Sequence, residues 1–169
     1  SSDLAIEAIE CFRQNDDSTA VMTTMRNCGR VAKSLEQFAQ TKRYYDTAFS
    51  IATLLNDRPM QSDIYLEMGR DYYLPVGNYP EAMTCVRRAL EGELDDNNTD
   101  IANMTMGVLY YYTDNYAKAK PYLEAALRSE RAGLKMSVYQ TLYAIAYNEG
   151  DLQKALEYQD LFTQNMMHS

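Results

Sequence analysis

A phrase in three parts recurs along this chain, and it limits the fold more than any other feature. It reads Met68-Gly69-Arg70-Asp71-Tyr72-Tyr73, then Gly77-Asn78-Tyr79-Pro80-Glu81-Ala82, then Arg88-Ala89-Leu90. It returns as Met106-Gly107-Val108-Leu109-Tyr110-Tyr111, Asp114-Asn115-Tyr116-Ala117-Lys118-Ala119 and Ala125-Ala126-Leu127. A third copy runs Leu142-Tyr143-Ala144-Ile145-Ala146-Tyr147, Gly150-Asp151-Leu152-Gln153-Lys154-Ala155 and Asp160-Leu161-Phe162. The alanine that opens the second half of each copy stands at 82, 119 and 155, gaps of 37 and 36 residues. A period of that size marks a supersecondary unit that cannot bury its apolar face alone and must stack on copies of itself.

A weaker copy precedes these: Leu35 with Ala39, then Arg43-Tyr44-Tyr45-Asp46-Thr47-Ala48, then Leu54-Leu55, its alanine 34 residues before Ala82. In that register Glu36 falls at the glycine place. A half-copy, Leu4 to Phe12, reads as the second helix of a truncated unit. The expected repeats are 1–16 (partial), 20–57, 61–93, 99–131 and 135–168, within a single repeat domain over 1–169. Direct entry into a helical pattern, without an initiating methionine, predicts a fragment of a longer protein.

Each copy reads as helix, short turn, helix. Gly77-Asn78, Asp114-Asn115 and Gly150-Asp151 are helix stops followed by N-cap residues. One residue more than elsewhere is expected in the turn around Leu74-Pro75-Val76. Tyr65, Met68, Gly69 and Tyr72, and again Met106, Gly107 and Tyr110, recur at spacings of three and four and so share one helix face. Helix-interior glycine costs about 1 kcal/mol against alanine, so its recurrence predicts a close helix–helix approach. In the last copy Tyr143 and Ala146 exchange the small and aromatic places, a swap that conserves volume. Pro121 is expected inside a helix, kinking it. With only seven glycines and four prolines, the chain is expected to be all-α.

This pattern resembles the tetratricopeptide repeat family over residues 22–165. The resemblance implies a right-handed α-solenoid of about three and a half to four repeats, with first helices lining a concave groove. It implies a non-enzymatic protein- or peptide-binding scaffold. Spacing then picks out the groove stripe as Arg30, Lys33 and Gln37; Asp63, Leu66, Arg70 and Tyr73; Met104, Val108, Tyr111 and Tyr112; and Gln140, Ala144 and Tyr147. Tyr73, Tyr111 and Tyr147 fall at matching places as a ladder of rings, beside a cationic start. An extended peptide with an acidic end and apolar or aromatic side chains would complement it. Packing of the tyrosines between helices is the competing reading. The family's carboxylate clamp is absent as a set: Lys33 fits one place, but Gln37, Glu67, Ile101 and Thr105 occupy the others.

The long period and the Tyr-, Asn- and Asp-rich texture also resemble bacterial extracytoplasmic repeat regions of lipoproteins and sensory regulators. That implies a periplasmic or membrane-anchored setting, with the cytoplasm as the alternative, and a ligand-sensing region of a membrane-linked signalling protein as the alternative function.

Other chemistries find little footing. A net charge of −8 opposes a phosphate backbone, so no nucleic-acid partner is expected. No run of eighteen apolar residues offers a membrane span. The one histidine, His168, stands beside the C-terminus, leaving no metal spacing and no base for a nucleophile. No cofactor, metal or catalytic residue is expected. Cys11, Cys28 and Cys85 read as small core residues, and Glu91 to Asp96 with Asp100 as a polar loop between repeats. Met166 and Met167 read as adaptable core. Leu152, Leu156, Leu161, Phe162 and Met166 at one end, and Leu4, Ile6, Ile9 and Phe12 at the other, have no capping helix. End-to-end homodimerisation, or neighbouring repeats in the parent protein, would cover them.

Overall fold

The computed structural model describes residues 17–168. The half-copy over Leu4 to Phe12, with Cys11, lies outside them. The helices are α1 (Ser18–Ser34), α2 (Phe38–Leu54), α3 (Arg58–Met68, continued by one π-helical turn, Gly69–Tyr73), α4 (Tyr79–Glu91), α5 (Asp96–Tyr112), α6 (Tyr116–Ala126), α7 (Ala132–Asn148) and α8 (Leu152–Met167). No strand occurs among the described residues. Consecutive helices pair as hairpins, α1 with α2, α3 with α4, α5 with α6, and α7 with α8. The described residues pack as two compact units that divide between Leu94 and Asp95.

The turns follow local chemistry. Gly77, Asp114 and Gly150 adopt the left-handed region, at φ of 81°, 58° and 80°. The next residue caps the following helix: Asn78 accepts from the Glu81 amide, Asn115 from Lys118 and Asp151 from Lys154. Each such cap is worth about 1 kcal/mol over alanine. Asp57 and Asp95 cap α3 and α5 in the same way. Pro59 and Pro80 sit at helix starts, where no intrahelical donor is needed. Pro121 lies inside α6.

Two registers differ from the sequence reading. In the first hairpin the turn is Leu35 to Gln37, with Glu36 left-handed at φ 57°; Arg43 to Ala48 lie within α2. Counted from the N-cap, the place of Ala82, Ala119 and Ala155 belongs to Thr41, and the packing glycine is Gly29, not position 36. The error arose because α2 has 17 residues against 13 in α4 and 11 in α6. This stretches the first interval to 41 residues, from Thr41 to Ala82.

The second difference lies in α3. Its extra residue is not in the turn; it is absorbed within the helix. The Leu74 amide donates to the Gly69 carbonyl at 3.0 Å, a π-type bond. Every turn closes with the N-cap amide donating five residues back: Gln37 to Ala32, Asn78 to Tyr73, Asn115 to Tyr110 and Asp151 to Ala146. Tyr73 therefore stands where Tyr110 does, and Leu74 takes the place of Tyr111 and Tyr147.

The glycines do what their recurrence predicts. A Cβ on Gly29 would lie 2.7 Å from the Tyr45 ring, on Gly69 2.8 Å from Val86, and on Gly107 2.5 Å from Leu123. Tyr45, Val86 and Leu123 each stand eight residues past their N-cap. In the last hairpin Tyr143 holds the glycine place and Gln159 the facing one. No exchange of volume results: Ala146 is buried and Tyr143 stays at the surface.

In the first unit the core gathers Val21, Met22, Tyr45, Ala48, Ile51, Ala52, Ile64, Met68 and Cys85. In the second it gathers Ala119, Leu123, Ala126, Leu134, Val138, Leu142 and Ile145. Burying each large side chain contributes about 1.5–3 kcal/mol. Of the cysteines, Cys85 is core; Cys28 is half-buried, on a cleft with Val31, Leu35 and Tyr44.

Candidate functional site

The first helices place the expected groove residues differently in the two units. In the first unit, α3 is buried around most of its circumference. Ile64, Leu66, Glu67 and Met68, which point to different sides of the helix at about 100° per residue, are all buried. Leu66, expected in the groove, is 2% exposed and offers no contact surface. Gln37 is not on a first helix at all; it is the N-cap of α2, exposed in the turn. Arg26 takes the place on α1 that matches Leu66, Met104 and Gln140.

Tyr73 turns inward because of the π turn. It packs against the first core beside Tyr72, ring centroids 4.9 Å apart. Burial pushes its hydroxyl above the ordinary value, with Lys42 nearby opposing. Tyr73 therefore does not hold on its helix the place that Tyr111 and Tyr147 share on theirs.

Charged residues carry the polar chemistry of this unit. Glu67 and Asp71 are both 4% exposed. Arg26 grips Glu67 through Nε and Nη2, at 3.1 Å and 2.8 Å from Oε1, with Asp63 3.9 Å away. Arg30 donates to the same Oε1 through Nε and Nη2. Burial works against the Arg26 charge, but the hydrogen bonds and charge of Glu67 prevail and its pKa is raised. Asp71 accepts from the Tyr45 hydroxyl at 3.0 Å and from Arg70 Nε at 3.0 Å. Burial, then Asp71, holds the Tyr45 hydroxyl far above its ordinary value. Lys33 is exposed at the end of α1.

Sequence reading missed Arg26, Glu67 and Asp71 as a set. The signal was there: two acids four apart, on a helix whose copies carry Thr105 and Leu109, then Thr141 and Ile145, at those places.

The second unit is aromatic. Met104 and Tyr111 are half-buried against its core, and Tyr111 stacks on Tyr116 at 5.9 Å. Val108 and Ala144 are half-buried. Tyr112 and Tyr147 are 51% and 59% exposed, and Gln140 is exposed beside Tyr143. The polar segment is a loop only over 92–95: Glu91 ends α4, Asp95 caps α5, and Asp96 and Asp100 lie within α5, where Asp100 accepts from Arg128 Nε at 2.5 Å. Among the described residues no cluster of His, Cys, Asp and Glu is arranged for a metal ion. Nor is any helix among them long and apolar enough to cross a membrane.

These features fit a contact surface built on packed helices, with its exposed chemistry in side chains rather than in an enclosed cavity. No curated protein matches the chain. The tetratricopeptide repeat profile matches residues 102–132, from within α5 to the start of α7. Repeats of that family generally mediate protein–protein interaction, and their all-helical scaffold is generally non-enzymatic. With hairpins of the same glycine-spaced build at Gly29 and Gly69 and the same capped turn after α7, the all-helical chain carries tetratricopeptide-type repeats, the family profile itself covering residues 102–132.

Proposed function

We propose that this protein is a non-enzymatic scaffold that binds an extended acidic peptide segment of a protein partner through its first helices. The observation that carries this reading is the half-exposed second cation on Glu67. Arg26, which also lies 3.9 Å from Asp63, holds that buried carboxylate with two N–H groups, and Arg30 reaches it from the exposed side. The Arg30 side chain is 49% exposed. Lys33 follows three residues later, on the same side of α1. A partner carboxylate can engage both while Glu67 keeps Arg26, forming charge-assisted bonds without stranding a buried charge.

The test is binding of labelled peptides of equal length and graded net charge. Acidic peptides should bind, with affinity falling as salt rises. Lys33→Glu should weaken them about tenfold, roughly 1.4 kcal/mol; Arg128→Glu, on the second unit, should do little. Equal binding of neutral and acidic peptides, or indifference to Lys33→Glu, would refute the acidic partner.

A further inference from the structure

We propose that the cleft between the start of α3 and the end of α4 binds a small zwitterion, a ligand of amino-acid or dipeptide size with one carboxylate and one ammonium group. This goes beyond peptide recognition and uses none of the groove residues. Arg58, Gln61, Ser62 and Tyr65 recur at spacings of three and four and so share one face of α3. With Arg88 and Glu91 at the end of α4, and Glu93 just past it, they line a cleft of about 490 Å³. Both signs of charge meet there. Among the described residues, none of these two arginines and two glutamates is ion-paired.

Local structure sets the place of each charge. Glu91 stands three residues after Arg88 on α4, a spacing that suits an ion pair. Arg88 lies instead over the Tyr65 ring, 5.7 Å from its centroid, with Nη1 3.5 Å from the Tyr65 hydroxyl. The Glu93 amide donates to Ser62 Oγ at 2.8 Å, which ties the loop to α3. Gly92 permits that approach, because a Cβ there would overlap Ser62 Oγ. Arg58 stands in the first turn of α3, which holds no acid, at a helix end that favours negative charge. A ligand with a single charge meets attraction and repulsion in the same cleft. A zwitterion can set its carboxylate toward the arginines and its ammonium toward the glutamates. The uncharged groups suit both ends. Ser62 Oγ accepts from Glu93 and the Tyr65 hydroxyl from Arg88, so each keeps its own proton to donate to a carboxylate. Gln61 donates through Nε2 to Thr53 Oγ1 at 3.1 Å, leaving its carbonyl oxygen to accept from an ammonium.

The test is an NMR titration of the isotope-labelled 169-residue chain with L-alanyl-L-alanine, read at the amides of Ser62, Gly92 and Glu93. These should shift and saturate with a dissociation constant on the order of 1 mM, because exposed charge pairs each contribute little. The N-acetylated dipeptide lacks the ammonium and the dipeptide amide lacks the carboxylate. Each should bind about threefold more weakly or worse. Free L-alanine run alongside distinguishes the two ligand lengths; binding of either supports the site, and binding of neither overturns it. Arg88→Gln and Glu93→Gln should each weaken binding by about threefold or more. Arg87→Gln, an exposed neighbour that does not line the cleft, should leave it unchanged. All three positions are exposed, so the melting profiles should hardly move. Equal binding of the N-acetylated form, which would make this a plain anion site, or undiminished binding in Glu93→Gln would overturn the proposal.

Discussion

Two residues past the hairpin glycine, the first unit places Asp71 and the second places Leu109, and both are buried. Two residues before the glycine stand Glu67 in one and Thr105 in the other. The facing position on the partner helix is Tyr45 in the first hairpin and Leu123 in the third. The second unit closes these positions with apolar contact and one local bond, Thr105 to the Ile101 carbonyl. The first closes them with Tyr45, Arg26, Arg30 and Arg70 around two carboxylates. One helical hairpin thus tolerates either chemistry, provided each buried polar group finds its partner. No buried side-chain polar atom among the described residues lacks one. The ionic version leaves Arg30 half-exposed at its rim, and the apolar version leaves the Tyr112 and Tyr147 rings exposed.

Removing Glu67 should separate the units most. Glu67→Ala leaves Arg26 facing no carboxylate but Asp63 and should cost about 3 kcal/mol. Thr105→Ala, which removes only a back-bond, should cost less than about 1 kcal/mol. Hydrogen exchange read separately for each unit would check that the first loss stays within residues 17–94. Equal losses would mean that the ion pairs do not distinguish the units.

The glycines offer the next contrast. Gly29→Ala sets a methyl against the rigid Tyr45 ring, and overpacking of that kind costs about 1–3 kcal/mol. Gly107→Ala meets the movable end of Leu123, and the helix-propensity gain of about 1 kcal/mol offsets more of its cost. Thermal melts of the two variants should rank Gly29→Ala as the worse. The reverse order would show that the ring yields more easily than the leucine.

Alkali should act on the first unit. Burial pushes the Cys85 thiol up to about 11, from 9.0, and Tyr45 is raised from 10.0. Below pH 9 both groups are protonated in the folded and unfolded chain, and their contribution is whole. Above it the unfolded chain releases protons that the folded chain retains, so stability falls as pH rises through about 11. The thiol's share is on the order of 2 kcal/mol. Exchange measured from pH 8 to 11 should show the first unit losing protection before the second, and less steeply in Cys85→Ala.

The smallest effect is a coupling. Tyr45→Phe and Asp71→Leu should each destabilise, while the double variant should recover about 1 kcal/mol of the sum, because neither the hydroxyl nor the carboxylate then remains without the other. Strict additivity would mean that the hydroxyl and the carboxylate act independently.

Much of the fold was legible because caps and small residues act locally. Asn78, Asn115 and Asp151 must follow left-handed turns whatever surrounds them, and Gly69 and Gly107 have a helical purpose only where another helix approaches. The first hairpin was misread because Arg43-Tyr44-Tyr45 resembles the Asn-Tyr of the later turns, while its true glycine, Gly29, lies in a phrase with little other likeness. The site was harder to read. Exposure along α3 depends on what packs around it, so Leu66 and Arg70 share a stripe in the sequence but not a fate in the structure.

The sequence by itself determined the repeat, the helical class and the hairpin turns, since each rests on contacts a few residues apart. The tertiary structure alone decided that the extra residue of the second hairpin becomes a π turn. That turn sets Tyr73 against the core, which no local preference of Gly69 to Tyr73 dictates. It also decided that Glu67 and Asp71 are partnered interior charges. Their partners, Arg26, Arg30 and Tyr45, come from another hairpin, and only packing brings residues 26 to 41 positions apart within reach.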